Sequence, residues 1–210
     1  MPSRAFDRGA AKQNLCDNAA LTEHFIDSDH CNRIRSITMS SPTETNPPAF
    51  NSSDAKHWLA FGFGAGLSPM APGTAGTLVG VALYLVLAML PSVLYVLIVA
   101  GLFGAGIWAV GAVAEQLGAD DPPAIVWDEV VGFLVAMIAA PAGIMWVIAG
   151  FLLFRAFDIY KPWPISTVEV RFRGALGIML DDVVAAIYAW IVLHVLWLMV
   201  EASLRGAGVH

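Results

Sequence analysis

The sequence predicts an all-α protein, a polytopic transmembrane helix bundle of about four to five spans with a short interfacial or re-entrant helix. Three observations carry that expectation. The chain of 210 residues is 58% hydrophobic and only 13% charged, with a mean hydropathy of +0.68, which is too apolar for a water-soluble domain. From His57 to Ala114 there is no Asp, Glu, Lys or Arg, a run far longer than the ~20 residues that one span needs, so the chain must fold back on itself. Beyond that run, short polar blocks alternate with apolar segments.

Residues 1–55 are rich in Ser, Asn, Asp, Thr and Pro, show no sustained apolar period and lack the apolar core of a signal peptide. They read as a disordered polar tail. A start at Met39 would leave the whole apolar part intact, so residues 1–38 read as dispensable. Cys16 and Cys31 lie in this tail without metal or redox spacing. Trp58 to Leu67 is too short and glycine-rich to cross and supplies the interfacial or re-entrant helix. Crossing segments follow at Thr77 to Leu90 and Val93 to Leu117, divided at Pro91, then at Ile125 to Ala140, Ile144 to Phe157 and Val183 to Leu204. The connections divide by charge. Pro91-Ser92 and Pro141-Ala142-Gly143 carry none, whereas the other face collects Asp120, Asp121, Asp128, Glu129, Asp158, Lys161, Arg171, Arg173, Asp181 and Asp182. Arg155, Lys161, Arg171 and Arg173 make that face cytoplasmic by the positive-inside rule, with Arg205 as a single contrary charge.

Of the eleven Lys and Arg, six fall in residues 1–56, as do seven of the seventeen Asp and Glu, which leaves five basic and ten acidic groups for the rest. The net charge of −6 therefore belongs mainly to the apolar part. It argues for bound cations and against nucleic acid as a partner, since no basic patch of that type exists.

Asp128 and Glu129 in IVWDEVVGF open an otherwise apolar helix. Neighbouring helical residues point about 100° apart, so both face an interior only where the bundle converges on them. Buried carboxylates are costly without a counter-ion. A divalent cation resolves that cost, and hard oxygen donors suit magnesium. Arg155 and Asp158 are three apart on one helical face, with Lys161 just beyond, and the Lys-Pro-Trp-Pro run then stops the helix. Asp181 and Asp182 stand where the last apolar run begins, as N-cap and first-turn residues. Capping or snorkelling explains each acid singly. Five on one face, Asp128, Glu129, Asp158, Asp181 and Asp182, point to a catalytic set, with Asp128, Glu129, Asp158 and Asp182 as metal ligands.

Ser68 to Thr77, SPMAPGTAGT, combines glycines, prolines and hydroxyls ahead of a helix, which suits a phosphate through backbone N–H groups and side-chain donors from Gly73, Thr74 and Thr77. It lacks the lysine of a nucleotide P-loop. Close helix packing is the alternative use of such glycines. Gly174 and Gly177 allow either a close approach to ligand or bilayer, or a flexible connection. His57 and His194 have no second metal ligand at useful spacing, and His194, within a span, suits packing or hydrogen bonding.

Four blocks in order resemble the phosphatidylglycerophosphatase A family: GFGAGLSPMAPGTAGT (Gly62 to Thr77), IVWDE (Ile125 to Glu129), FRAFDIYKPWPI (Phe154 to Ile165) and GALGIMLDD (Gly174 to Asp182). Together they span the chain from about Trp58 to Leu198, and the stretch before Met39 has no counterpart. The resemblance implies a transmembrane catalytic domain over residues 56–205, multi-pass in the bacterial inner membrane with a cytoplasmic active site. It further implies magnesium as cofactor, a phospholipid substrate, phosphatidylglycerophosphate, and phosphatidylglycerol and phosphate as products. Missing motifs agree: there is no DxDxT or DxDxV aspartyl-phosphate motif, no Cys-x5-Arg loop, and no Ser-Gly-His followed by Arg and His. No covalent nucleophile is evident. The expected chemistry is direct attack by water, with one or two magnesium ions among the five acids, Arg155 and Lys161 clamping phosphate oxygens, and Gly73 to Thr77 supplying N–H donors. One of the five acids is the general base, and which one stays open. A cation transporter or channel is the rival, because intramembrane carboxylates mark ion paths. Its acids would be spread through mid-depth, whereas these gather at one face beside basic residues. A lipid-binding scaffold fits Arg171 and Arg173 but leaves the acids unexplained. No feature specifies an oligomeric state.

Overall fold

The computed structural model describes residues 50–118, 122–161 and 174–206, all within one unit, Phe50–His210. Among the described residues every element is helical, in agreement with the all-α expectation. The tail to residue 49 with Met39, Cys16 and Cys31, and also Asp120, Asp121, Pro162, Pro164, Arg171 and Arg173, lie outside the described residues.

Asp54 caps the first helix, α1 (Ala55–Ala60), its Oδ1 accepting from Lys56 N at 2.9 Å. Phe50 packs edge-on against Trp58 and Phe61, with ring centroids 5.2 and 5.4 Å away. The folded unit thus begins before residue 55, where composition had placed the end of the tail. A 3-10 segment, Gly62–Leu67, follows and is broken at Phe63 and Gly64, whose φ values are 56° and 96°. The single helix expected over Trp58 to Leu67 is therefore two pieces, because left-handed residues cannot continue a right-handed helix.

The next helix, α2 (Pro72–Leu87), starts at Pro72, whose fixed φ suits a first helical position. Gly73, Thr74 and Thr77, expected in a loop, are helical for that reason. Helix α3 (Ser92–Leu117) ends at Gly118, with φ 64°. Helices α4 (Trp127–Ala136), α5 (Ile144–Tyr160) and α6 (Ala175–Gly206) complete the bundle.

α4 is the centre. It touches α2, α3, α5 and α6, and Trp127, Asp128, Val130, Val131, Gly132, Phe133, Leu134 and Ala136 are all buried. At 10 residues it extends only about 15 Å. That is half of the ~30 Å hydrocarbon core of a bilayer, so the α4 helix by itself reaches only part of the way across. The expected crossing segment Ile125 to Ala140 was apolar all round because α4 is enclosed all round.

Among the described residues two helices, α3 with 26 residues and α6 with 32, are long and apolar enough to cross a membrane, where about four to five spans were expected. α2 is a shorter apolar helix. Large apolar side chains cover the outer faces, among them Val93, Leu97 and Trp108 on α3, Leu152 on α5, and Leu198 and Met199 on α6. Such a surface suits lipid contact.

Phe133 is fully buried on α4, with its ring edge-on to Tyr84 of α2 and near Phe154 of α5. Truncating it leaves a void that three helices share, so Phe133→Ala is expected to destabilise the bundle by about 3 kcal/mol. A lowered thermal midpoint in detergent checks this, and an unchanged midpoint would contradict it.

Candidate active site

Trp127 fixes the start of α4. Its Nε1 donates to the Leu102 carbonyl of α3 at 3.1 Å, and its ring takes the space that a side chain at Gly106 would need. Val126 N donates to Ala60 O at 2.9 Å, tying the same point to α1. Asp128 and Glu129 consequently enter the bundle at a defined depth. Gly132 lies one turn beyond Asp128, on the same face. A Cβ there would stand 2.7 Å from Phe154 Cζ and 3.2 Å from Asp182 Cβ, so its absence lets α5 and α6 close onto α4.

This approach brings Asp128, Glu129 and Asp182 together, with ligand oxygens all within 4.8 Å of one another. Asp128 and Asp182 are 9% and 3% exposed. Asp128 Oδ1, Glu129 Oε2 and Asp182 Oδ2 are buried and, among the described residues, find no hydrogen-bond partner. Three carboxylates so close and so far from water need positive charge between them. The oxygen-only donor set and the unpartnered oxygens fit a hard divalent cation.

Asp158 and Asp181 are placed differently. Asp158 Oδ2 pairs with Arg155 Nη1, which also lies 4.0 Å from Glu129 Oε1. Its negative charge is still felt by Glu129 and Asp182. Arg155 Nε is buried with no partner among the described residues. Asp181 Oδ2 accepts from Lys161 Nζ at 2.8 Å, and its Oδ1 accepts from the Asp182 N–H at 3.0 Å. Lys161 closes α5 with a left-handed φ of 41°.

One expectation changes. Asp181 and Asp182 are not cap and first-turn residues, because α6 starts at Ala175 and both lie more than a turn inside it. Adjacent acids before an apolar run look like a cap in sequence, whereas here the helix runs through them, with Asp181 paired to Lys161 and Asp182 turned into the carboxylate cluster. Asp158, expected beside Asp128, Glu129 and Asp182 as a ligand, pairs with the Arg155 guanidinium next to the three acids whose oxygens converge.

Gly73 and Thr74 occupy the first turn of α2, whose N-cap, Ala71, supplies no side-chain acceptor. First-turn N–H groups lack intrahelical acceptors, and this helix end is positive. A Cβ at Gly73 would overlap Glu129 Oε1 and stand 3.1 and 3.2 Å from Arg155 Nη1 and Nη2, so the helix end abuts both groups. Thr77 is buried and donates its hydroxyl to Gly73 O at 2.9 Å, a bond within α2 and not one toward the cluster. Threonine commonly bonds back to the preceding turn in this way. Trp127 and Gly132 position the site without having been singled out from sequence. The spacing of Gly132, four after Asp128, was the available signal.

The model of the family "Phosphatidylglycerophosphatase A" matches residues 58–197. An Escherichia coli (strain K12) protein named phosphatidylglycerophosphatase A is 41% identical over 132 residues, covering 62% of this chain and 77% of that one. A Haemophilus influenzae protein of the same name is 41% identical over 162 residues, 75% of this chain and 99% of its own. A Bacteroides thetaiotaomicron protein, provisionally named a phosphatidylinositol-3-phosphatase, is 42% identical over 145 residues, 65% of this chain and 90% of its own. No solved structure matches the chain.

Because Gly73 leaves room for Glu129 and Arg155, Gly73→Ala is expected to lower kcat/KM roughly tenfold or more by displacing them. Alanine favours helix over glycine, so thermal stability should hold. A variant with unchanged kinetics would show that the close approach is immaterial.

Proposed function

The chain belongs to the phosphatidylglycerophosphatase A family, and we propose that it hydrolyses the terminal phosphomonoester of phosphatidylglycerophosphate to phosphatidylglycerol and phosphate. The observation that carries this reading is the convergence of three carboxylates beside Arg155, two buried and one half-buried, each with one buried oxygen that finds no hydrogen-bond partner among the described residues, inside the matched region. Asp128, Glu129 and Asp182 would hold magnesium, with Asp158 adding negative charge next to them. When bound, the metal lowers the pKa of water and neutralises charge that develops on the phosphoryl oxygens.

The chain's own groups account for recognition. Arg155 presents guanidinium N–H donors to phosphate oxygens, oriented by Asp158. Lys161, held by Asp181, adds a second positive charge at the same end of the bundle. The first-turn N–H groups of Gly73 and Thr74 are further donors, whereas the Thr77 hydroxyl is committed to Gly73 O. Water attacks phosphorus, the bond to the glycerol oxygen breaks, and that oxygen leaves with a proton. One carboxylate of the five accepts the proton given up by water. No serine or cysteine nucleophile is required.

We further infer a multi-pass arrangement of about four to five crossings in the bacterial inner membrane, with the cluster on the cytoplasmic face. Its support is the charge division between the connections and the apolar outer faces of α3 and α6. Single cysteines placed at Ser166 and Ala142 in sealed vesicles should label from opposite sides. Reaction of both from one side would refute the arrangement.

The chemical test is phosphate release by purified protein from phosphatidylglycerophosphate and from phosphatidylinositol 3-phosphate, with and without magnesium. Release from the first lipid, dependent on magnesium, is the expected result. Asn nearly preserves the size of Asp while removing the charge, so Asp128→Asn and Asp182→Asn should each cost on the order of 100-fold in turnover. Near wild-type rates in both folded variants would remove the metallophosphatase mechanism.

A further inference from the structure

The way α4 ends bears on the carboxylates at its start. The last carbonyls of an α-helix have no intrahelical donor, and in apolar surroundings each one left unmet is costly. Here side chains meet Leu134 O in the last turn and two carbonyls just past the helix end. The Ile138 N–H turns back to Val135 O at 3.2 Å, and Leu134 O instead accepts from the Tyr95 hydroxyl of α3 at 2.7 Å. Trp190 Nε1 of α6 donates to Ile138 O at 2.8 Å. His194, one turn further along α6, stands between two carbonyl acceptors, with Nε2 3.1 Å from Ala139 O and Nδ1 2.9 Å from Trp190 O, and a neutral imidazole donates to one of them. Ala139 itself has φ 54°, a left-handed value uncommon for a residue with a Cβ. The Trp190 and His194 rings support each other at a centroid distance of 4.4 Å.

Two of these three donors stand on the helix that carries Asp182. Trp190 is about 12 Å beyond Asp182 along α6, and Ile138 is about 15 Å beyond Asp128, so the two helices are joined at two levels. Between those levels the buried face of α6 is Ala185, Ala186 and Ala189, opposite a helix that carries Gly132 and Ala136. Small side chains bring helices close but interlock weakly along their axes. Directional bonds at the far end therefore fix what packing leaves loose.

We propose that Tyr95, Trp190 and His194 are positioning residues for the metal site, Trp190 and His194 setting the axial register of α4 against α6 and Tyr95 holding α4 in place against α3, which together set the separation of Asp128 and Glu129 from Asp182. The inference rests on the reading of those three acids as metal ligands. Tyr95→Phe and Trp190→Phe keep the rings and remove one donor each. His194→Leu removes the imidazole, and His194→Gln returns an N–H close to the Nε2 position. Manganese binding to each purified variant, followed by electron paramagnetic resonance, is the readout besides activity, together with the magnesium midpoint of turnover and the substrate KM.

The expected result is a manganese midpoint weakened about tenfold in Tyr95→Phe, Trp190→Phe and His194→Leu, largely restored in His194→Gln, with substrate KM unchanged at saturating metal. Lowered thermal midpoints with wild-type manganese affinity would mean a purely structural role and overturn the proposal. Trp190→Phe removes the α6 donor and keeps an aromatic ring, so it decides the register question, and Tyr95→Phe, which loses a single oxygen, tests the α3 contact even where a larger change prevents folding. Wild-type protein that binds no manganese, or an Asp182→Asn variant that binds it as tightly as wild type, would instead remove the metal reading beneath the inference.

Discussion

Burying Asp128, Glu129 and Asp182 with their oxygens within 4.8 Å of one another is strongly unfavourable unless positive charge compensates. The arrangement around α4 answers that constraint at several points. The positive end of α2 and the guanidinium of Arg155 stand beside Glu129, and Lys161 neutralises Asp181 next to Asp182. What remains is a pocket of oxygens too negative for its surroundings. The same excess that weakens the apo bundle is what gives a hard cation its affinity, so stability and metal binding are opposed uses of one cluster.

The acids divide by partner and not by chain position. Asp158 and Asp181 each hold a basic side chain, which restricts the rotamers of Arg155 and Lys161. A long cation fixed in advance loses less entropy on meeting a phosphate than one that must be gathered from solvent. Carboxylate and basic group thus form a unit in which the acid orients the base.

Much of this was legible in the sequence, because burial cost makes charges informative in an apolar chain. Asp128, Glu129, Arg155, Asp158, Lys161, Asp181 and Asp182 stand out for the simple reason that few other charges surround them, and the structure brings all seven to one end of the bundle. Helix limits were less legible. Pro72 opens a helix that Gly73 and Thr74 seemed to delay, and α6 runs through two acids that resemble a cap. In both places local propensity was overruled by tertiary partners, which a single sequence does not display. The length of α4 was hidden for a related reason: hydropathy reports burial, and burial by protein and burial by lipid look alike along the chain.

The brevity of α4 also has a consequence for how the protein is made. Ten residues that open with two carboxylates form a poor candidate for independent insertion, yet they emerge from the ribosome ahead of α5 and α6, both of which touch them. Asp182, the third member of the cluster, arrives with the last helix. Until that helix docks, Asp128 and Glu129 have an open side and nothing to share a cation with. Completion of the cluster is therefore a late event in biogenesis, and an interrupted chain, however well its earlier helices have packed, lacks the third carboxylate.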